Sequence, residues 1–480
     1  MSELVRSVGL LSTQRAILLV LGAVRTKIAA SLLGPAGMGI LAQAMSLREL
    51  LAALSNLGTR SGYLKLVAEC HGRGDHAGLE RLIVTTLTLV TVLALTMATA
   101  TMLASGEVAA WAFDDPTQGL LVVIVAITVL VSVPGKFLVR TFTGVLDYRT
   151  FVLISLVESV MAVVSMAALA SVWGVAGAVA SFAVIEVAIL VFAVWLFWRR
   201  LARPLGMEFS RLRPDPAVVR SLLRLAGALV ITNLSSAAVV VFVRAEILRE
   251  LGSEANGYYQ VAWQVGQNYL ALLGTALWSY GMPKVATRLE DPDAILHLQN
   301  NFLRIVLALL APGVLALLAT REMWIPILFT EAFLVASGMV AWQLVGELVA
   351  MLRQSMNISL LPRERLRFLV FQALFYWGMW ALLSTMLMPR IGASAAAVGY
   401  LGANAAALVV TYAYHYRVLG YRVHAANRRL LLWSVPLVAL GVALTLREDL
   451  LLGRLAPLAL AAGWLWANRD VLYRLRLKNI

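Results

Sequence analysis

The sequence predicts an all-α integral membrane protein of about fourteen transmembrane helices, and three observations carry that prediction. Residues 82–106, 159–185, 255–283, 368–389 and 391–416 contain no Asp, Glu, Lys or Arg, and each exceeds the roughly 20 helical residues that span a hydrocarbon core. Of the 480 residues, 61% are hydrophobic and only 14% charged, too few polar groups to cover a water-soluble domain of this size. The short alternating segments of a membrane β-barrel are missing, which leaves bundled helices as the way to satisfy the backbone in lipid.

Reading along the chain places spans near 9–31, 37–63, 82–105, 119–139, 151–171, 175–198, 221–246, 255–281, 303–320, 333–359, 368–388, 393–414, 430–446 and 453–468. The first is interrupted by Arg15, Arg25 and Lys27 and is followed by no small-residue cleavage site, so it reads as a retained helix and not a signal peptide. The last span is short, and a twelve-span core with a loosely attached hairpin fits the pattern as well. Alternating the loops with the N-terminus inside leaves four basic residues in outer loops, Arg249, Arg321, Arg390 and Arg447, with Arg454 at the outer end of the last span, and most of the other loop cations inside. That asymmetry predicts a multi-pass protein of a bacterial cytoplasmic (inner) membrane with both termini cytoplasmic. The net charge of +14 is spread over alternate loops and not gathered in a patch, which argues against a nucleic-acid partner. The single Cys70 excludes an intrachain disulfide, and with His71 and His76 it makes too few ligands for a metal; no cofactor is expected.

A sparse repeat links the two halves at an offset of 218 residues. Leu33-Gly34 recurs as Leu251-Gly252, Gly39 as Gly257, Val67-Ala68 as Val285-Ala286, Arg149 as Arg367 and Gly174 as Gly392. An even number of spans separates the copies, so the halves are parallel repeats of six helices, a common transporter plan. The predicted organisation is an N-terminal lobe over 1–200, a basic cytoplasmic linker at 201–220, a C-terminal lobe over 221–425, and a helix pair with a basic tail over 426–480.

Charges inside spans are costly and therefore informative. Arg25 lies in the first span, Arg48 and Glu49 in the second, Arg244 in the seventh, and Glu347 in the tenth. Gln14 and Arg25 stand eleven residues apart, as do Asn233 and Arg244, a spacing that returns to nearly the same helical face. Gln260, Gln264 and Gln267 form a polar stripe on the eighth span, suited either to helix–helix hydrogen bonding or to hydroxyl-rich cargo. Lys27, Arg60, Glu246 and Arg353 sit near span ends, where long side chains snorkel to headgroups. Glu49 reads equally as a structural partner of a neighbouring arginine and as a proton-coupling group. No paired carboxylates or Ser/His/Asp set occurs at membrane depth, so no catalytic residues are assigned and the chain is not expected to be an enzyme. Gly34-Pro35-Ala36-Gly37-Met38-Gly39 lacks the Lys-Ser/Thr ending of a phosphate loop and reads as a tight turn between spans.

That same run from Leu33 to Gly39, the segment from Asn56-Leu57-Gly58 to Val67-Ala68-Glu69, and Leu328-Phe329-Thr330 through Ala341-Trp342-Gln343-Leu344-Val345-Gly346-Glu347 resemble the Wzx-type O-antigen flippases. These belong to the multidrug/oligosaccharidyl-lipid/polysaccharide exporter superfamily. The likeness covers roughly residues 5–420; Glu347 stands where the family pattern leads to an aspartate, and the final segment lies outside it. The resemblance implies two six-helix lobes about a cationic cavity, moving undecaprenyl-diphosphate-linked oligosaccharide between leaflets for lipopolysaccharide or related polysaccharide biosynthesis. It also implies glycan polymerase and chain-length proteins as partners beside the lipid bilayer. On this reading Arg25, Arg48 and Arg244 hold the diphosphate through bidentate guanidinium pairs. Gln14, Asn233, Gln260, Gln264 and Gln267 meet the sugars, and Glu49 and Glu347 are the coupling carboxylates. Lipid II flipping and multidrug cation antiport remain alternatives within the superfamily, while a membrane glycan polymerase would want a larger outer loop than any present.

Overall fold

The computed structural model describes residues 2–207, 214–266, 281–445 and 450–469, and over them the chain is helical without strands. Helices α1 (Ser2–Asn56), α2 (Arg60–Gly72), α3 (His76–Leu103), α4 (Ser105–Phe113), α5 (Gly119–Gly144), α6 (Tyr148–Phe197) and α7 (Pro216–Val265) follow in order. Helices α8 (Pro292–Leu328), α9 (Ser337–Asn357), α10 (Leu366–Ile391), α11 (Ser394–Val418), α12 (Ala425–Thr445) and α13 (Leu450–Ala467) follow among the described residues.

Ten of the described helical segments are long and apolar enough to cross a membrane. Three of these, Thr13–Asn56, Tyr148–Ala202 and Leu229–Val265, each take in two expected spans, and the short apolar Leu455–Ala467 matches the last. The fold is thus the all-α membrane architecture expected, although the eighth span runs beyond the described residues.

The paired spans turn at single glycines. Gly34 (φ 63°, ψ −173°) and Gly252 (φ 85°, ψ 176°) share one conformation, and Gly174 (φ 54°, ψ −131°) and Gly392 (φ 57°, ψ −146°) share another. These backbone regions are essentially open only to glycine. Both pairs are related by the offset of 218, so the weak sequence repeat marks a repeated structural device. Other helix starts follow ordinary capping chemistry. Asp75 accepts from Gly78 N at 2.8 Å, Asp147 from Thr150 N at 3.1 Å and Asp291 from Ala294 N at 2.9 Å, each contributing about 1 kcal/mol.

Some expectations need correction. The second span stops at Asn56 and not near 63, because Leu57 (φ 44°) and Gly58 (φ 65°) take left-handed conformations and Arg60 opens the separate helix α2. Helix α8 extends well beyond the expected 303–320, starting at its Asp291 cap with Pro292 in the first turn, where proline's missing donor costs nothing. Near the end of α11 the His415 ring is fully buried, with Nδ1 2.9 Å from Thr411 O and Nε2 3.1 Å from Met356 O.

The chain divides into two compact units, residues 1–256 and 257–480. In the first, α6 packs on α1 and α5, and α5 on α3. In the second, α11 packs on α9 and α10, while α8 carries α9, α12 and α13. The terminal pair is not loosely attached. Asn427 Nδ2 donates to Asn300 O at 2.7 Å and Arg321 Nη2 to Thr445 O at 2.6 Å, while within the pair Trp464 Nε1 donates to Ser434 Oγ at 2.9 Å.

Candidate functional site

The first unit holds a polar cavity of about 130 Å³ lined by Arg25, Arg48, Lys136, Glu158, Phe182 and Glu186, with small and apolar neighbours. Two glycine-hinged helix pairs, α1 and α6, build it together with α5, which carries Lys136. On α1, Arg25 and Arg48 stand 9 and 14 residues to either side of Gly34, and on α6 Glu158 and Glu186 stand 16 and 12 residues to either side of Gly174. At 1.5 Å per residue all four lie about 14–24 Å from their hinge, well within the length of a helix that crosses a core about 30 Å thick.

Both arginines sit over the Phe182 ring, the Arg25 guanidinium 5.4 Å and that of Arg48 5.0 Å from its centre. An aromatic face attracts cations without neutralising them. Glu186, 5% exposed, is shared: its Oε1 lies 3.1 Å from Lys136 Nζ and 3.9 Å from Arg48 Nη1. Arg48 also donates from Nη2 to Glu49 Oε1 at 2.8 Å. The Glu49 side chain itself is 60% exposed. The lining itself carries three cations and two carboxylates, and Glu49 on Arg48 brings the local set to balance, so an anion would bind here by taking cations over from their carboxylate partners.

Of the residues predicted from sequence, Arg25 and Arg48 meet at this cavity, and Glu49 joins through Arg48. Gln14 is buried and Asn233 exposed. Arg244 is buried away from the cavity lining, its Nη1 donating to Asn256 Oδ1 at 3.1 Å while Asn256 Nδ2 donates to Gly39 O at 2.7 Å. Gln260 and Gln264 belong to the second unit, where Gln260 Nε2 reaches Gln264 Oε1 at 3.4 Å; Gln267 lies outside the described residues.

Sequence reasoning missed Lys136, Glu158 and Glu186. The two glutamates border the charge-free stretch 159–185, and α6 runs on past both. Lys136 follows Pro134-Gly135 within α5, a lone charge whose meaning appears only with Glu186 beside it.

The second unit has its own buried charges. Glu347, 3% exposed, accepts from Gln343 Nε2 at 3.2 Å and bonds the Tyr400 side chain. A Cβ at Gly266 would fall 2.4 Å from Glu347 Oε1, so the glycine makes room for the carboxylate. Arg353 is held inside the unit and does not reach out to headgroups: its Nη2 donates to Asn404 Oδ1 at 3.2 Å and its guanidinium lies 4.8 Å from the Tyr376 ring centre. Trp263 and Trp380 stack at 5.4 Å beside this cluster.

A helical membrane protein with glycine-hinged spans and a charged chamber among its helices is a protein of the transporter class. The chain belongs to the polysaccharide biosynthesis protein family, whose model matches residues 28–338. It is 23% identical over 377 residues to the Lipid III flippase of Escherichia coli (strain K12), covering 78% of this chain and 89% of that protein, and equally to the Lipid III flippase of Shigella flexneri. Among solved structures it is similar to the lipid II flippase MurJ in an inward closed conformation, with a TM-score of 0.72 and 12% identity over 98% of this chain and 100% of that one. It is also similar to a multidrug resistance MATE family transporter of the MOP superfamily, inward-facing, with a TM-score of 0.65 and 14% identity over 86% and 96%. The superfamily resemblance carried by the sequence motifs is borne out.

Proposed function

We propose that the chain is a flippase that moves an undecaprenyl-diphosphate-linked oligosaccharide, of the O-antigen repeat-unit kind, from the inner to the outer leaflet of a bacterial cytoplasmic membrane. The observation that carries this reading is the convergence of Arg25, Arg48 and Lys136 on one cavity, in a chain whose family serves polysaccharide biosynthesis. Guanidinium forks pair phosphate oxygens bidentately and keep their charge in a low-dielectric site. The flippase relatives support the same class of cargo, since what their names give them to move is a lipid. A cation antiporter would instead favour an acidic chamber, and the lining here, with three cations and two carboxylates, is not acidic.

The lobes are residues 1–200 and 221–425, and both termini face the cytoplasm, as the loop charge supports. Sugars ride in the wet chamber while the polyprenyl tail stays in lipid, and rocking of one lobe against the other alternates access. Arg244, Gln14, Asn233, Gln260, Gln264 and Gln267 serve the cargo in conformations other than the one described. Glu347 is the better placed coupling carboxyl, because Glu49 is already paired with Arg48. Polymerase and chain-length proteins act on the product.

The test is surface glycan export in a deletion strain complemented with variants. Arg25→Ala and Arg48→Ala should each abolish export while the protein remains in the membrane, lysine should rescue only in part, and sensitivity to cationic dyes should stay unchanged. Wild-type export from both alanine variants would remove this reading.

A further inference from the structure

A second cationic pair stands in the first unit outside the cavity. Arg60 opens α2 directly after the left-handed Leu57 and Gly58, and Arg140 lies one turn beyond Lys136 on the same face of α5. The two guanidinium groups are within electrostatic reach of one another. Among the described residues neither has a carboxylate within 4.0 Å. Glu49 is near enough to feel Arg60, but its hydrogen bond goes to Arg48. The Nε of Arg60 is buried and has no hydrogen-bond partner.

The scaffold beneath the pair is tightly built. Tyr63 is one turn from Arg60, and its hydroxyl lies 2.7 Å from the Oγ1 of Thr141, which adjoins Arg140. The Tyr63 ring meets Phe137 edge-on at 5.3 Å. One turn further along, Val67 fits against Gly144 so closely that a Cβ there would lie 2.4 Å from Val67 Cγ1. Packing of this kind holds two like charges together at a cost, and a buried donor left unmade adds to it. A doubly charged anion relieves both. Inorganic ions of the cytosol would do so too, but the pair sits on helices that run into a membrane bundle, where phosphate arrives on lipid.

We propose that Arg60 and Arg140 form a separate binding site for a phosphate group carried on a lipid, distinct from the Arg25/Arg48 cavity and linked to it along α5 through Lys136. The proposal rests on the reading that this chain handles a lipid-linked diphosphate, and it adds a first holding point for that headgroup. Two lipids carry the chemistry, the polyprenyl diphosphate cargo and ordinary anionic phospholipid.

The experiment counts ligand equivalents on the full-length protein in a neutral detergent, with farnesyl diphosphate as the probe and isothermal titration as the readout. Wild type should bind two equivalents. The double variant Arg60→Gln/Arg140→Gln should bind one, and Arg25→Gln/Arg48→Gln should bind the other one. Should the first double variant fail to fold, Arg60→Lys/Arg140→Lys keeps both charges but loses the fork, and must bind its equivalent roughly tenfold more weakly or worse. Two equivalents of unchanged affinity in the Arg60/Arg140 variants, or one equivalent in wild type that they leave untouched, would overturn the site. No effect of Arg25→Gln/Arg48→Gln would instead overturn the parent reading and leave this site standing. Phosphatidylglycerol added to the Arg25→Gln/Arg48→Gln protein separates the sources: displacement of the probe assigns the site to phospholipid, and no displacement assigns it to the diphosphate cargo.

Discussion

Glu186 offers the sharpest physical test of the cavity, because one carboxylate oxygen serves two cations. Replacing it with glutamine keeps the shape and an acceptor but removes the charge that Lys136 sees at 3.1 Å and Arg48 at 3.9 Å. With an effective dielectric of about 20, these attractions are roughly 5 and 4 kcal/mol before desolvation is counted. Losing one partner of a fully buried pair costs about 3–5 kcal/mol, but Lys136 is 37% exposed, so solvent screening and the amide that remains bring the loss to roughly 1–2 kcal/mol. The empty protein should therefore be less stable. A bound anion should recover much of that loss, since it no longer competes with Glu186 for the same cations. Thermal unfolding of the detergent-solubilised protein, followed by the fluorescence of its thirteen tryptophans, reads both effects. The variant should melt earlier than wild type without ligand and show the larger upward shift with pyrophosphate. Equal melting of the two proteins in both conditions would refute the idea that Glu186 holds these cations in place of a ligand.

Other expectations follow from single features. Gly252→Ala should destabilise by about 1–3 kcal/mol through backbone strain alone, since nothing lies within 4 Å of an added Cβ. Gly22→Ala, equally uncrowded but at no left-handed position, should be neutral or slightly stabilising in the same unfolding assay. Arg321→Ala leaves Thr445 O and Ser337 Oγ without their donor and should make the terminal helix pair the first site of proteolysis. His424 binds its proton less readily than a free histidine, through burial first and then the charges of His297 and Arg304. The unfolded chain therefore takes up that proton first, and stability present above pH 6.5 should be lost as the pH falls below it. A His424→Asn variant should show a smaller acid-side loss in melting temperature.

Much of this protein is written in one dimension. Membrane insertion depends on the length and hydrophobicity of local segments, so runs such as 368–389 and 391–416 reveal their helices without any knowledge of neighbours. The repeat is legible for a similar reason. Gly34, Gly174, Gly252 and Gly392 occupy conformations that other residues rarely adopt, which marks the hinges in the sequence itself. Arg25 and Arg48 were visible because a charge at membrane depth needs an explanation wherever it points. Pairing is a different matter. Lys136, Glu158 and Glu186 acquire meaning only where three helices bring them to one chamber, and the surroundings of Arg244 are set by Asn256, to which it donates, and through Asn256 by Gly39. Local hydropathy decides that a residue enters the membrane, but the energy of a charge there depends on partners tens or hundreds of residues away, and only the folded bundle sets those distances.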